Sequence, residues 1–215
     1  GERSFSYWRS ASAARLLAED ADHLHLGLQG AVVVYLSGIT LAILDDSGCG
    51  RLLKALAGAR RQGARLAFDP NIRPALWPDA DRMRDVLTQA AGACDIVLPS
   101  HEDEARWFGD ADPDATARRY SAAGTKLVVV KDGPAPVVTL ESGRLERHPV
   151  PQALAAPVDT TAAGDSFNAG FLAALATGQN LSGAVAAGAD LAARVISARG
   201  ALVRAAVVAG LRPGS

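Results

Sequence analysis

The chain has 215 residues, 22 Lys and Arg against 23 Asp and Glu for a net charge of -1, and is 49% hydrophobic. That balance excludes the clustered basic footprint of a nucleic-acid binder and leaves an ordinary globular composition, long enough for one sizeable core. Two cysteines, Cys49 and Cys94, give no disulfide framework and fit a reducing cytoplasm, while Asp190, Arg194, Arg199 and Arg204 interrupt the apolar C-terminal third where a membrane span would otherwise be sought.

Glu2, Arg3 and Arg9 break up any early apolar run, so no secretory signal is expected. Ser4 to Trp8 alternates with aromatic residues and predicts a strand. Ser12 is a candidate N-cap, with a helical pattern through Ala14, Leu16 and Leu17. The β-branched run from Ala31 to Leu36, closed by Ser37-Gly38, predicts a buried parallel strand. Leu52, Leu53 and Leu56 lie at helical spacing before Gly63, and Arg65 to Asp69 predicts a short strand leading into Pro70-Asn71.

The alternation then repeats. Helices are expected over 79–91, 102–108 and 112–123, the last with Pro113 in its first turn, and strands over 95–98 and 127–131. Residues 137–140 and 144–148 predict a hairpin around Ser142-Gly143, followed by two Ala-rich helices over 163–177 and 181–198. Strands alternating with helices predict one three-layer α/β domain on a largely parallel sheet. Ligands of such sheets bind at the carboxyl ends of the strands, where Ser37-Gly38, Asp69 to Arg73, Pro99-Ser100 and Lys131 to Gly133 all fall.

The densest chemistry lies in Asp159-Thr160-Thr161-Ala162-Ala163-Gly164-Asp165-Ser166-Phe167, which opens the first Ala-rich helix. Small residues at a helix N-terminus allow an anion to approach free N–H groups on the positive end of the helix dipole. Asp165 puts a carboxylate where the anion would sit. Two readings follow from the residues: a first-turn Asp favoured by the dipole, or a base that takes a proton during phosphoryl transfer.

The order of these residues resembles the Asp-Thr-x-Gly/Ala-Ala-Gly-Asp signature of the PfkB/ribokinase family of sugar kinases, matched here through Asp165. The resemblance implies a ribokinase-like fold with a β lid, ATP as co-substrate, magnesium, and a monovalent cation as a further candidate. It implies Asp165 as the base that activates a sugar hydroxyl, with Ala162, Ala163 and Gly164 as the anion hole. Many relatives carry glycine at the position of Ala162, and alanine there costs little if its backbone dihedrals are ordinary.

Other stretches carry the resemblance further. Asp69-Pro70-Asn71-Ile72-Arg73 is similar to the family's Asp-x-Asn-x-Arg segment, in which Arg73 would present its planar fork to a carboxylate or phosphate of the substrate. The alternative for Arg73 is a solvated surface side chain. Tyr7-Trp8-Arg9 resembles the lid strand of 2-keto-3-deoxygluconate kinases, where Tyr7 and Arg9 would contact the sugar acid from one strand face; packing is the alternative. Ser100 and Asp103 align with a family Asn-x-x-Glu, which implies nucleotide contact for Ser100 and a water-held magnesium for Asp103. Glu102 and Glu104 are neighbouring candidates, and a solvated acidic helix start is the alternative. Lys131 and Gly133 resemble a nucleotide-side loop, or a plain turn, and Gly200 lies in a second, weaker nucleotide-side turn. No zinc or iron site is expected from His23, His25, His101 and His148.

The expected activity is ATP-dependent phosphorylation of 2-keto-3-deoxygluconate, with fructose or ribose as alternative acceptors and a non-catalytic nucleotide-binding remnant as the competing class. The expected partners are ATP and a small sugar acid, without nucleic acid or membrane, and a homo-oligomer is allowed. Family members are longer and the chain opens on Gly1, so a missing N-terminal part is expected, with residues 1–9 as a lid remnant and poor catalysis by these residues alone.

Overall fold

The computed structural model describes residues 12–150 and 157–203. In chain order these residues form α1 (Ala21–Leu28), β1 (Val33–Ser37), α2 (Gly38–Ile43), α3 (Asp46–Arg61), β2 (Arg65–Asp69), α4 (Ala80–Ala93), β3 (Ile96–Val97), α5 (His101–Phe108) and α6 (Pro113–Ala122), then β4 (Leu127–Val130), β5 (Val137–Glu141), β6 (Arg144–His148), α7 (Ala163–Ala176) and α8 (Leu181–Ile196). The strands form one sheet in the order β1 to β6. Strands β1 to β4 run parallel, while β5 and β6 fold back antiparallel as the expected hairpin.

Side chains alternate across a strand, so register decides which layer each residue meets. Tyr35, Ala67, Ile96 and Leu127 stand side by side across β1 to β4. On that face Ala67, Ile96, Leu127 and Val129 pack with Phe167 and Phe171 of α7 and Val185 of α8. Leu36, Phe68, Val97 and Val128 occupy the next positions and turn to the other face, against Leu56 of α3, Leu87 of α4 and Tyr120 of α6. The three-layer α/β fold is thus written in the parity of the strands. Asp69 and Lys131, two residues beyond Ala67 and Val129, share the face that carries α7.

Two expectations need correction. Val33–Ser37 is parallel but not fully buried: among the described residues it is an edge strand, with Tyr35 41% exposed and Val32, just before it, 70%. The pattern after Ser12 gives one short 3-10 turn over Ala13–Leu16, with Ser12 capping Ala14. Helices α1 and α2 were not anticipated. The predicted strand 4–8 lies outside the described residues.

Glycine at position 38 is a steric requirement. A Cβ there would stand 2.0 Å from the Pro70 carbonyl oxygen, so the end of β1 and the loop after β2 pass each other too closely for a side chain. Gly188 does the same for the helix pair: its Cβ would lie 2.8 Å from the Phe167 carbonyl oxygen, on the first turns of α7.

Candidate active site

The carboxyl ends of β1 to β4 and the N-termini of α5 and α7 share one edge of the molecule. Helices elsewhere begin on a capping side chain: Asp45 accepts from Gly48 N–H at 2.6 Å, Asp79 from Arg82 at 2.7 Å, Asp112 from Ala115 at 2.7 Å and Asn180 from Gly183 at 2.8 Å. At the N-termini of α5 and α7 the N-cap residues Ser100 and Ala162 make no such side-chain bond. The first turn of α7 therefore has no side-chain cap, and beyond Ala163 N–H, which turns back to the Thr160 carbonyl, its N–H groups meet the need of an anion site.

Ala162 takes a left-handed conformation, φ 62° and ψ 19°. The dihedrals are not ordinary, contrary to the condition under which alanine is cheap, and explain why glycine suits this position. The turn is held from both sides. Ala163 N–H donates to Thr160 O at 3.2 Å, and Ser166 N–H to Ala162 O at 2.9 Å as the helix begins. Asp159 is buried; its Oδ1 accepts from Thr161 N–H at 2.9 Å and its Oδ2 from Gly200 N–H at 3.0 Å. This brings Gly200, in its own left-handed turn (φ 86°), against the loop that leads into α7. Asp165 follows in the first turn of α7 and is exposed.

Beneath that turn lies a buried polar cluster. Lys131 Nζ donates to Asp69 Oδ2 at 3.1 Å and to Asn168 Oδ1 at 3.0 Å, and Asn168 Nδ2 donates to Asp69 Oδ2 at 2.6 Å and to Tyr35 Oη at 3.2 Å. A Cβ on Gly164 would be 3.6 Å from Lys131 Nζ, so the ammonium sits directly under the anion loop. Burial pushes the Tyr35 hydroxyl well above its usual pKa, with the Asp69 and Asp165 charges adding to the shift. It stays a neutral hydroxyl at the edge of the site.

The loop after β2 is shaped locally. Asp69 Oδ1 accepts from Asn71 N–H at 2.9 Å, an Asx turn that carries Asn71 to φ 38° between Pro70 and Ile72. Arg73 donates to Ile72 O at 2.7 Å and stands 3.9 Å from the Asp103 carboxylate. Burial raises the Asp103 pKa; Arg73 works against that shift, and Glu102 and Asp69 add to it. Ser100 bridges to Lys131, whose N–H donates to Pro99 O at 2.9 Å and whose carbonyl accepts from His101 at 2.8 Å. Gly133 (φ 53°) occupies an exposed turn closed by Ala135 N–H on Asp132 O at 2.9 Å, the plain-turn geometry.

The fold therefore gathers Asp165, the Ala162–Gly164 turn, Gly200, Lys131, Ser100, Asp103 and Arg73 on one edge. Tyr7 and Arg9 lie outside the described residues. Sequence reasoning missed Asn168, Tyr35 and the linking role of Asp159; Lys131, expected at a nucleotide-side loop, stands at the end of β4 with its side chain buried under α7. An asparagine inside the apolar run Phe167 to Phe171 was the signal available for Asn168.

The described residues offer magnesium a single carboxylate, that of Asp103, which fits an ion sharing its other positions with water and a nucleotide. Among the described residues no three His, Cys, Asp or Glu side chains converge into a metal cage. Asp103 is a single, partly exposed carboxylate whose pKa is raised by burial, and magnesium commonly keeps waters and phosphate oxygens as its remaining ligands. No described helix is long and apolar enough to cross a membrane.

Comparison with known proteins gives the same direction. The pattern described as pfkB family carbohydrate kinase matches residues 1–205. A 2-dehydro-3-deoxygluconokinase of Dickeya dadantii is 38% identical over 94% of this chain and 67% of its own length. One from Haemophilus influenzae is 34% identical over 99% of this chain and 68% of its own. The crystal structure of a PfkB protein from Polaromonas sp. JS666 superposes with a TM-score of 0.78 at 29% identity, over 95% of this chain and 65% of that one. The chain thus spans about two thirds of the length of these relatives.

Proposed function

The chain belongs to the pfkB family of carbohydrate kinases, with their ribokinase-like fold, and we propose that it serves to transfer the γ-phosphoryl group of ATP to the terminal hydroxyl of 2-dehydro-3-deoxygluconate (2-keto-3-deoxygluconate). The observation that carries this reading is Asp165, exposed in the first turn of a helix whose N-terminus is left uncapped at the carboxyl edge of the sheet.

The chemistry follows from these positions. Asp165 accepts the proton of the attacking sugar hydroxyl, and the N–H groups around Ala162, Ala163 and Gly164 hold the phosphoryl oxygens as charge shifts toward the leaving group. Phosphoryl transfer asks mostly for positioning and charge stabilisation, which a rigid helix terminus supplies. Ser100 and the turns at Gly133 and Gly200 border the nucleotide, and Arg73 forks onto the carboxylate of the sugar acid. Asp103 would hold magnesium through water, and magnesium would neutralise phosphate charge when ATP is bound. Tyr7 and Arg9 would close on the sugar from the lid side. The whole is carried by one α/β domain in the cytoplasm.

A coupled assay of ADP release against 2-dehydro-3-deoxygluconate, gluconate, fructose and ribose tests the reading. Assayed in a version extended to the length of the relatives, the sugar acid should give the highest kcat/KM; a preference for fructose or ribose would reassign the acceptor, and no ATP-dependent transfer to any of them by that version would refute the kinase activity.

A further inference from the structure

Helix α7 is held on the sheet by Phe167, Phe171 and Ala174 against Ala67, Ile96, Leu98 and Val129. Apolar contact is non-directional: it fixes how far a helix stands from a sheet better than how it is slid or turned on it. Direction enters with Asn168. It lies three residues after Asp165 and four after Gly164, one turn below both on the same side of the helix. Its amide is fully committed, because only one orientation lets Oδ1 accept from the Lys131 ammonium at 3.0 Å and Nδ2 donate to the Asp69 carboxylate at 2.6 Å. The same Nδ2 reaches Tyr35 Oη at 3.2 Å. One side chain of α7 is thereby pinned to the ends of β1, β2 and β4.

We propose that Asn168 is a positioning residue for phosphoryl transfer: its bonds to Tyr35, Asp69 and Lys131 set the slide and rotation of α7, and so aim Asp165 and the anion loop. The proposal rests on the reading of Asp165 as the base. Two features separate it from a merely satisfied core polar group. Buried charge pairs are replaceable by apolar packing at little or no loss of stability, so stability alone does not call for one here. The cluster also lies directly under the loop, with the Lys131 ammonium 3.6 Å from where a Gly164 Cβ would be, rather than deeper in the core. An error of about 1 Å in aiming a reacting group costs on the order of 10²-fold in rate.

The test is Asn168→Ala, with Tyr35→Phe as a milder variant that leaves the Asp69–Lys131 pair whole. Asn168→Ala is expected to lower kcat by on the order of 10²-fold, while KM for ATP and the Kd of magnesium-ADP by calorimetry stay within about 3-fold of the parent. Tyr35→Phe should lower kcat by a few-fold with an unchanged unfolding midpoint. Folded Asn168→Ala with kcat within about 2-fold of the parent, or a loss that tracks the unfolded fraction, overturns the proposal. If Asn168→Ala does not fold, Tyr35→Phe decides, and parental kcat there overturns it. Should the parent itself transfer no phosphate to any sugar, the kinase reading fails separately. The positioning claim is then judged by amide exchange at Ala163 and Ser166, expected to be about tenfold faster in Asn168→Ala; unchanged exchange overturns it.

Discussion

Asp159 and Gly200, 41 positions apart, are joined by the Gly200 N–H on Asp159 Oδ2 at 3.0 Å. With the other carboxylate oxygen on Thr161 N–H, one side chain ties the loop before α7 to the turn after α8. Asp159→Ala removes a charged acceptor from two backbone donors. The expected loss is about 1–3 kcal/mol of stability, read from urea unfolding, together with weaker magnesium-ADP binding. Full stability with parental binding would show the tether to be idle.

Asp165→Asn keeps the shape of the side chain and removes the base. Turnover should fall by about 10²–10⁴-fold with ATP affinity retained, since the N–H groups of the turn are untouched. A rate within a few-fold of the parent would remove Asp165 from the role assigned to it.

Arg73→Ala should raise KM for the sugar acid and leave any neutral sugar unaffected. A lost charged hydrogen bond of roughly 1.5–3 kcal/mol corresponds to about 10–150-fold in affinity. Equal effects on acidic and neutral acceptors would show that Arg73 does not meet the carboxylate.

Ala162→Gly relieves a side chain held at φ 62°. The relief, less the extra freedom glycine gains in the unfolded chain, should stabilise the protein by about 0.5–1 kcal/mol. A lower urea midpoint would mean that the left-handed conformation is not strained.

Much of the fold was legible because the local signals agreed with the final packing. The helices expected over 79–91 and 112–123 appear as α4 and α6, whose N-caps are Asp79 and Asp112. The strand 65–69 and the hairpin around Ser142-Gly143 fall where alternation and turn residues put them. Helix α1 was invisible because it buries only Leu24, too little to leave a period. Helix α2 begins on Ser37, at the end of the β-branched run, where strand propensity and the cap point opposite ways. In the site, the loop at 159–165 could be recognised as a contiguous string. The contact from Asn168 to Tyr35 spans 133 positions and to Asp69 spans 99, so only the closed sheet creates it. The parity that turns Asp69 and Lys131 toward α7 was present in the sequence, but it becomes meaningful only once β2 and β4 share a sheet.

The β4–β5–β6 meander has a consequence for how the protein reaches its structure. Val130 pairs with Val138 and Glu141 with Arg144, so this part of the sheet closes across short loops. Each parallel pairing must instead wait for an intervening helix: Ser37 meets Asp69, and Ile96 meets Leu127, only after some thirty intervening residues have been ordered. Short closures cost less chain entropy and form sooner. The meander is therefore the natural seed of the sheet, with β1 the last strand to dock. In pulse-labelled exchange during refolding, amides of 137–148 should be protected before those of 33–37.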